Sequence, residues 1–362
     1  MRIAVLMTGL TAYQDSCFRE LSDLGDELLL VHPSSMPFAP FDQDNLSRKV
    51  ERVVWDTMPG PDELVPVVEE FRPDVVIMWS WDGKGYRAVM KAMKGRALRV
   101  VFTSNFWHGS LKQRIGLLAH RFYVDPLFEC AWVPGERSEL FARRIGFAGK
   151  DIIRGANSAD TPIFDRGPRD PEELAGRRTF LFTGRLIWHK APTELAEAYR
   201  RYRTLVDDPW DLDIAGDGPL KTEFDGIRGV NLHGFVQPAG LSDRMHQSSA
   251  LLMPSHIEWY GVVVHEGAVA GLPLICSDGV GAVPHLLQDG FNGWTVPAGD
   301  IDALAEAMAR MSTLSTERLG TMSEGSRALG SRLTPRIWAL NLHEQLEFRV
   351  DQRQLHATEA DR

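Results

Sequence analysis

The sequence predicts an α/β protein built from two Rossmann-like domains, each with a doubly wound parallel sheet. Short apolar runs of strand length alternate with segments of helical pattern, which is the arrangement of parallel βαβ units. The alternation is interrupted by the polar stretch from Phe164 to Pro171 and then starts again. At 362 residues the chain is also too long for one ordinary core. We therefore expect two sheets, in domains at residues 1–163 and 164–334, with 335–362 as a C-terminal helix that packs back on the first domain.

Each predicted strand is a run of apolar or β-branched residues that ends at a polar or glycine-containing loop. In the first domain the predicted strands are Arg2–Met7, Glu27–Val31, Val50–Trp55, Asp74–Trp79, Val100–Thr103 and Cys130–Val133, with helices at Ser16–Leu24, Pro61–Phe71 and Tyr86–Met93. In the second domain they are Thr179–Thr183, Leu212–Ala215, Val230–Leu232, Ala250–Met253, Leu274–Ser277 and Gly293–Val296, with helices at Thr193–Arg203 and Gly261–Ala270.

Composition excludes several classes of protein. Hydrophobic residues are 44% and charged residues 25% of the chain, which is typical of soluble globular proteins. The longest apolar stretch, 259–276, contains His265, Glu266 and Pro273, so no membrane span is predicted. Polar residues directly follow Ile3–Met7, which indicates a first strand and not a signal peptide. Three cysteines lie too far apart for a metal or disulfide pattern, and we expect a cytoplasmic protein.

The charge is unevenly distributed. The net charge is −9, yet residues 84–154 contain fourteen Lys or Arg against five Asp or Glu. This excess indicates either an anionic partner, such as a phosphorylated acceptor or a membrane surface, or an ordinary solvated basic face. Nucleic acid is not expected as a partner, because no recognised binding motif accompanies the basic segment.

The most informative block begins at the predicted strand Ala250–Met253. Glu258 lies in the loop that follows this strand, and Glu266 lies in the next helix, which Gly271 ends. In a parallel βαβ unit, ligands bind where the strand ends and the helix begins, because helix N–H groups favour anions there. Carboxylates repel phosphate, so Glu258 and Glu266 are not expected to bind it. They are interpreted as acceptors of hydrogen bonds from hydroxyl groups of a ribose and a sugar. The alternative is a loop acid and a helix acid that favour only the helix dipole.

A second set of charged residues follows the strand Thr179–Thr183. Gly184 and Arg185 end this strand, and Lys190 lies five residues further on. A guanidinium and an ammonium group at the carboxyl edge of a sheet suit a diphosphate, although two solvated cations in a loop would show the same pattern. Asp217, in a tight glycine turn, is interpreted as a turn residue.

In this order and spacing, these blocks resemble glycosyltransferase family 4, whose members are retaining enzymes of the GT-B fold. The matching segments are Thr183–Leu186 with Lys190, Ala215–Pro219, His233–Val236, Pro254–Ser255 before the Glu258/Glu266 pair, Gly271–Pro273, Gln288–Gly290 and Asn292–Gly293. The Gly155–Asp160 stretch resembles the segment between the domains of that family. The resemblance covers about 180 residues.

The resemblance implies a sugar transfer from a nucleotide-diphosphate sugar to a hydroxyl of a glycan, lipid-linked or small-molecule acceptor, without metal or other cofactor. It also implies two domains that face a central cleft. Arg185 and Lys190 would bind the diphosphate, Glu258 would hold the transferred sugar, and Glu266 would accept hydrogen bonds from the ribose. The donor residues it implies are Gly184, Arg185, Lys190, Phe235, Val236, Glu258, Tyr260, Gly261, Val262, Val263 and Glu266. His108 would face the donor sugar as a fourth catalytic residue, and Gly9 and His108 would lie on the acceptor side.

Several residues depart from the family pattern. Trp259 stands where a small residue is common, Ala191 stands where a glycine commonly follows the lysine, and Gly279-Val280-Gly281 replaces a glycine pair. Alternatives to the glycosyltransferase are another GT-B enzyme, either a nucleotide-sugar epimerase or a phosphorylase, and a non-catalytic relative that binds nucleotide sugars. A NAD-dependent dehydrogenase is disfavoured because no G-x-G-x-x-G follows the first strand.

The basic segment contains one amphipathic pattern. Leu111, Ile115, Leu118 and Phe122 recur at helical spacing, and Lys112, Arg114 and Arg121 fall largely off that stripe. The pattern predicts either an ordinary helix whose apolar stripe packs on its own sheet or an interfacial helix that binds an anionic acceptor or the inner face of a membrane.

Overall fold

The computed structural model describes residues 1–34 and 50–360, without the side chains at 112, 118, 119, 121, 125 and 356–360. The described residues form two compact units. The first unit runs to Ser158 and includes the C-terminal helix from Pro335, and the second unit runs from Ala159 to Thr334. The predicted α/β class with two parallel sheets is confirmed, because every neighbouring strand pair in both sheets is parallel.

The first unit contains a sheet of seven strands among its described residues. They are β1 (Arg2–Leu6), β2 (Glu27–Pro33), β3 (Glu51–Trp55), β4 (Val75–Trp79), β5 (Leu98–Phe102), β6 (Cys130–Val133) and β7 (Ile152–Arg154), in the order β3-β2-β1-β4-β5-β6-β7. Six of them were predicted, with ends that differ by at most two residues. The strand β7 was not predicted, because three residues are too few to show a periodic pattern.

The second unit contains a sheet of six strands. They are β8 (Thr179–Thr183), β9 (Asp211–Ala215), β10 (Val230–Gly234), β11 (Ala250–Met253), β12 (Leu274–Ser277) and β13 (Gly293–Val296), in the order β10-β9-β8-β11-β12-β13. The chain proceeds outward from β8 in one direction and from β11 in the other. Crevices at the carboxyl ends of strands that flank such a reversal are the usual ligand sites of open α/β sheets.

The described helices cover both sheets. They are α1 (Ala12–Asp23), α2 (Pro61–Phe71), α3 (Lys84–Ala92), α4 (Leu111–Tyr123), α5 (Glu136–Arg144), α6 (Thr161–Phe164), α7 (Pro171–Arg177), α8 (Pro192–Leu205), α9 (Pro238–His246), α10 (Val262–Val269), α11 (Val283–Leu286), α12 (Ile301–Ser312), α13 (Thr316–Gly330) and α14 (Pro335–Ala360). Within the described part of the chain, none of them is long and apolar enough to cross a membrane.

The helix α14 belongs to the first unit because its aromatic side chain enters that core. Trp338 is 2% exposed, and its ring lies 5.6 Å from Phe18 of α1 and 5.4 Å from Trp132 of β6, between ring centroids. Burial of a large aromatic ring in this way removes apolar surface from water and fixes the helix on the sheet.

The second unit begins five residues before the predicted boundary at 163/164. Residues 159–163 lead into α6, whose Phe164 is 1% exposed in the core of the second unit. The hydroxyl of Ser242 donates to the carbonyl of Ile163 at 2.7 Å, and the ring of His246 is bonded to the carbonyl of Phe164 at 3.0 Å. The polar stretch after Phe164 is therefore a surface loop of the second unit.

The apolar stripe predicted on α4 does not pack on the sheet of its own unit. Leu111, Ile115 and Phe122 are 73%, 60% and 83% exposed. The side chain of Leu118, the fourth member of the stripe, lies outside the described part, as do those of Lys112 and Arg121. The interpretation as an ordinary buried stripe is wrong for the three described members, because the inward face of this helix borders a cavity.

Candidate active site

The candidate site lies at the carboxyl ends of β8, β11 and β12, which are consecutive in the second sheet. Three loops meet there: the loop after β8 with Arg185 and Lys190, the loop after β11 with Glu258, and the loop after β12. The order in which strands are added to the sheet reverses between β8 and β11. The site therefore occupies the crevice in which ligands of such sheets usually bind.

Close backbone approach shapes the first loop. Gly184 donates its N–H to the carbonyl of Ala215 at 3.1 Å, and a side chain at Gly216 would place its Cβ 1.9 Å from the carbonyl oxygen of Gly184. Only glycine therefore fits at residue 216. Asp217 accepts a hydrogen bond from the N–H of Gly218 at 2.8 Å, as expected of a turn residue.

The structure brings Lys190 and Glu258 together, although they are 68 residues apart. The Lys190 ammonium contacts the Glu258 carboxylate, and each side chain is 13% exposed. Burial, followed by the positive charge of the exposed Arg185, lowers the pKa of Lys190. The adjacent carboxylate favours the ammonium form, so the pair keeps a charged lysine in a partly desolvated place.

Lys190 ends a short 3₁₀ helix, Trp188–Lys190, and the next residue has an unusual backbone conformation. Ala191 has φ of 56°, in the left-handed region that disfavours a Cβ. This conformation explains why a glycine would suit the position after the lysine, and why Ala191 departs from the family pattern at a cost in backbone strain.

The loop that carries Glu258 is held by the loop after β12. The N–H of Glu258 donates to the carbonyl of Gly279 at 3.0 Å, and the N–H of Gly281 donates to the carbonyl of Glu258 at 2.9 Å. A Cβ at Gly281 would lie 2.1 Å from the carbonyl oxygen of Trp259, and one at Gly279 would lie 2.4 Å from that of His256. Both glycines are thus required for the close packing that positions Glu258.

The helix α10 begins directly after this loop. Its N-cap is Gly261, with φ of 90°, and no side chain of the described residues caps its first turn. The donor candidates Tyr260, Gly261, Val262 and Val263 form this helix start, and an uncapped helix N-terminus is a favourable place for a phosphate group.

Glu266 lies one turn further along α10 and is half-buried. Burial, followed by the negative charge of Asp160, raises the pKa of its carboxyl to about 8. Asp160 is 7% exposed and starts α6 in the same unit. The pattern that identified Glu266 gave no sign of this neighbour, which comes from the Gly155–Asp160 stretch.

Two further donor candidates, Phe235 and Val236, follow β10 and are half-buried. They lie at the same edge of the sheet as Lys190, with β9 between their strand and β8. Sequence reasoning missed His189, whose ring packs edge-on against Trp259 at 5.8 Å between centroids. The Nε2 atom of His189 is buried without a hydrogen-bond partner among the described residues. The sequence could have indicated this residue, because His189 lies between Arg185 and Lys190 in the same loop.

The acceptor-side candidates belong to the first unit. His108 is exposed, and its Nδ1 and backbone N–H contact the side-chain amide of Gln113 at 3.2 and 3.0 Å. It lines a cavity of about 700 Å³ together with Trp81, Asp82 and other residues. Gly9 is buried after β1 and is not part of this lining.

Part of the chain is similar to known glycosyltransferases. Residues 177–313 match the family model described as "Glycosyl transferases group 1", and this range contains every donor candidate. A glycogen synthase of Mycobacterium tuberculosis is 30% identical over 194 residues, which cover 51% of this chain and 44% of the relative. The chain spans less than half of the length of the curated relatives to which it is similar.

Solved structures share the fold over nearly the whole chain. Sucrose-phosphate synthase from Thermosynechococcus elongatus has a TM-score of 0.74 and 16% identity, with 99% of this chain and 100% of that chain covered. Anabaena HepE in complex with UDP and glucose has a TM-score of 0.71 and 16% identity, with 96% and 99% covered. These solved structures show the fold of the chain, and the match to the family model places the similarity to glycosyltransferases in the second unit.

Proposed function

We propose that this protein is a retaining glycosyltransferase that moves a sugar from a nucleotide-diphosphate sugar to an acceptor hydroxyl. The observation that carries the proposal is the convergence of Arg185, Lys190 and Glu258 beside the uncapped start of α10, at the crevice between β8 and β11. Two cations, a helix N-terminus and a hydroxyl-binding carboxylate are the groups that a diphosphate linked to a sugar requires.

The cations would act mainly on the leaving group. As the bond between the sugar and the diphosphate breaks, negative charge grows on the departing phosphate oxygen. Arg185, Lys190 and the N–H groups at the start of α10 stabilise that charge more than they stabilise the bound donor, which lowers the barrier. Burial and Arg185 lower the pKa of Lys190. A phosphate group bound beside Lys190 would raise this pKa again, because a nearby anion favours the ammonium form.

Glu258 and Glu266 would recognise hydroxyl groups. Glu258 lies next to Lys190 and so would contact the transferred sugar, whereas Glu266 lies one turn into α10 and would contact the ribose. HepE was solved with UDP and glucose, which makes uridine nucleotides the first donors to test. Membership in glycosyltransferase family 4, and therefore attack from the face that the leaving group departs, is part of the proposal.

We further propose that transfer needs no metal ion, because the two cations and the helix N-terminus take that role. His108 and the cavity beside it would receive the acceptor, which is a glycan, a lipid-linked sugar or a small molecule. A second function, such as epimerisation or phosphorolysis, is favoured by no particular contact in the described residues.

The test uses water as the acceptor, because the natural acceptor is unknown. The protein is incubated with α-linked UDP-, GDP- and ADP-sugars, and the released sugar is followed by proton NMR before it mutarotates. We expect slow release of the α-anomer from one donor, with the same rate in EDTA. Release of the β-anomer would contradict retention, and a rate that requires Mg²⁺ or Mn²⁺ would contradict metal independence. Absence of both hydrolysis and nucleotide binding would overturn the assignment.

A further inference from the structure

One wall of the cavity in the first unit is the helix α4. The cavity is lined on this side by Gln113, Gly116, His120 and Tyr123, which recur at intervals of three or four residues. Residues with this spacing lie on one face of a helix. The face of α4 that points inward thus borders an open space and not a packed apolar core.

The other face of α4 carries Leu111, Ile115 and Phe122, whereas Leu117 lines the cavity. These three residues are exposed, and Phe122, at 83%, has the largest exposed fraction among the large apolar side chains of the described residues. A surface helix of a globular protein normally turns its apolar stripe toward the core and its polar residues toward water. On α4 three large apolar residues face water instead, which leaves an apolar strip that a monomer in water does not need.

Positive charge accompanies this apolar strip. The exposed Arg114 lies on the helix between Leu111 and Ile115. Arg87 belongs to the cavity side, because its guanidinium lies 3.5 Å from the centre of the ring of Tyr123 and donates to the Tyr123 carbonyl at 3.0 Å. The sequence of α4 has no acidic residue, and the segment 84–154 has an excess of nine positive charges.

A third cation lies before the first turn of α4. The guanidinium of Arg144 is 4.9 Å from the centre of the Trp107 ring, and Trp107 precedes the helix by four residues. Cations therefore occur before and within the apolar strip. Aliphatic and aromatic residues with interspersed Arg are the composition that binds anionic lipid surfaces, since apolar insertion and charge attraction act together.

We propose that the outer face of α4, formed by Leu111, Arg114, Ile115 and Phe122, docks the first unit on an anionic lipid bilayer. The apolar side chains enter the interface between head groups and acyl chains, and Arg114 and Arg144 contact the anionic head groups. A second copy of this chain is a less suitable occupant, because two identical basic strips would repel each other. If the proposed function holds, docking places the cavity where it can receive the polar part of an acceptor carried by a lipid.

The test is sedimentation of the full chain with vesicles of phosphatidylcholine alone and of phosphatidylcholine with phosphatidylglycerol. Binding should require the anionic lipid and should weaken as salt rises, since exposed charges are screened within about 8 Å at physiological ionic strength. The double variant Leu111→Ser/Phe122→Ser should lose roughly tenfold or more in vesicle affinity, because two exposed apolar side chains no longer enter the interface. Arg114→Glu should weaken binding at low salt and have a smaller effect at high salt.

A matched control is Leu205→Ser/Phe348→Ser, which removes a leucine and a phenylalanine that are 54% and 62% exposed elsewhere. This control should bind vesicles as the wild type does. Equal loss in both double variants, or wild-type binding by Leu111→Ser/Phe122→Ser, would overturn the assignment to α4. Indifference of the wild type to anionic vesicles at low salt would do so too, and self-association abolished by the α4 variant would indicate a second copy as the occupant.

Nucleotide binding, measured on the same variants, separates this proposal from the proposed function. Leu111 and Phe122 lie in the first unit, outside the donor site, so their replacement should leave the nucleotide Kd unchanged. Normal vesicle binding without nucleotide binding would retain the docking surface and reject the glycosyltransferase.

Discussion

The two units position their candidate residues in different ways. In the second unit, Lys190 and Glu258 meet across 68 residues of sequence. A Cβ added at Gly216, Gly279 or Gly281 would lie 1.9 to 2.4 Å from a carbonyl oxygen, so the loops there pack without room for side chains. In the first unit, His108 is exposed and is held by Gln113, five residues away. A donor with one fixed diphosphate needs a tightly determined site, whereas an open cavity with local contacts can be adapted to different acceptors.

The largest expected effect on activity comes from replacing the two cations of the second unit, Arg185 and Lys190. Arg185→Ala or Lys190→Ala should lower kcat by roughly 10²–10³-fold, because the charge on the departing diphosphate loses a fixed partner. Lys221→Ala is the control, since this exposed lysine, at the start of the short 3₁₀ helix after β9, pairs only loosely with Asp217, at 3.6 Å. A wild-type kcat in either site variant, with an unchanged Tm, would remove these residues from the leaving-group site.

A smaller effect is expected when the loop behind Glu258 is disturbed. In Gly281→Ala, the new Cβ would lie 2.1 Å from the carbonyl of Trp259, so the loop must move at a cost of about 1–3 kcal/mol. The donor Kd should rise and the Tm should fall. Gly176→Ala is the control, because no neighbouring atom of the described residues outside its own helix lies within 4 Å of the added Cβ. This variant should keep the Kd of the wild type, and its Tm should not fall. Equal behaviour of the two variants would show that the loop contact does not position the donor site.

Glu266 tests a different part of the donor site in the second unit, because its carboxylate would recognise the ribose, which all nucleotides contain. Glu266→Ala should weaken both a nucleoside monophosphate and a diphosphate by about 1.5–3 kcal/mol, since the ribose loses charged hydrogen-bond acceptors. Lys190→Ala should weaken mainly the diphosphate. Titration calorimetry measures both, with the exposed Glu324→Ala as control. If Glu266→Ala binds nucleotide as tightly as the wild type, this carboxylate does not contact the ribose.

The pH dependence of binding is the smallest expected effect. With a carboxyl pKa of about 8, Glu266 in the empty site is mostly protonated at pH 7. The contribution of this group to the stability of the empty protein therefore falls as pH rises from the carboxyl pKa of the unfolded chain, 4.5, toward 8. Ribose hydroxyls that donate to the carboxylate favour the ionised form. Nucleotide binding at pH 7 should therefore release most of one proton, and affinity should rise toward pH 8.

Calorimetry in two buffers of different ionisation enthalpy measures this release. The variant Glu266→Gln, which cannot ionise, corrects for protons that come from the phosphate itself. Equal proton release by the wild type and Glu266→Gln would show that the carboxyl does not change its charge on binding.

Most of the second unit could be predicted from the sequence, because four of its strands are short runs rich in apolar residues, whereas β9 and β10 also contain Asp, Asn or His. Four of its six strands have the predicted ends, and the parallel topology then places Arg185, Lys190 and Glu258 at one edge. The Lys190–Glu258 contact itself was not predicted, since pairing of two side chains depends on loop conformations that no periodic pattern describes.

Other features depended on tertiary packing. The short strand β7 has no pattern of its own, and Asp160 influences Glu266 only because α6 packs on α10. The sequence left two orientations of the α4 stripe open, because spacing identifies which residues share a helix face but not which way that face points.

The central claim is that the second unit binds a nucleoside diphosphate between Lys190 and Glu266. The most direct test is a thermal-shift panel of UDP, GDP and ADP with the corresponding nucleosides, on the wild type and on Lys190→Met/Glu266→Ala. At 100 times its Kd, a ligand that binds only the folded state adds about 2.7 kcal/mol of stability, so the Tm should rise clearly with at least one diphosphate and much less with its nucleoside. The double variant should lose this shift. A wild type whose Tm responds to no nucleotide, or a double variant that keeps the full shift, would contradict the account.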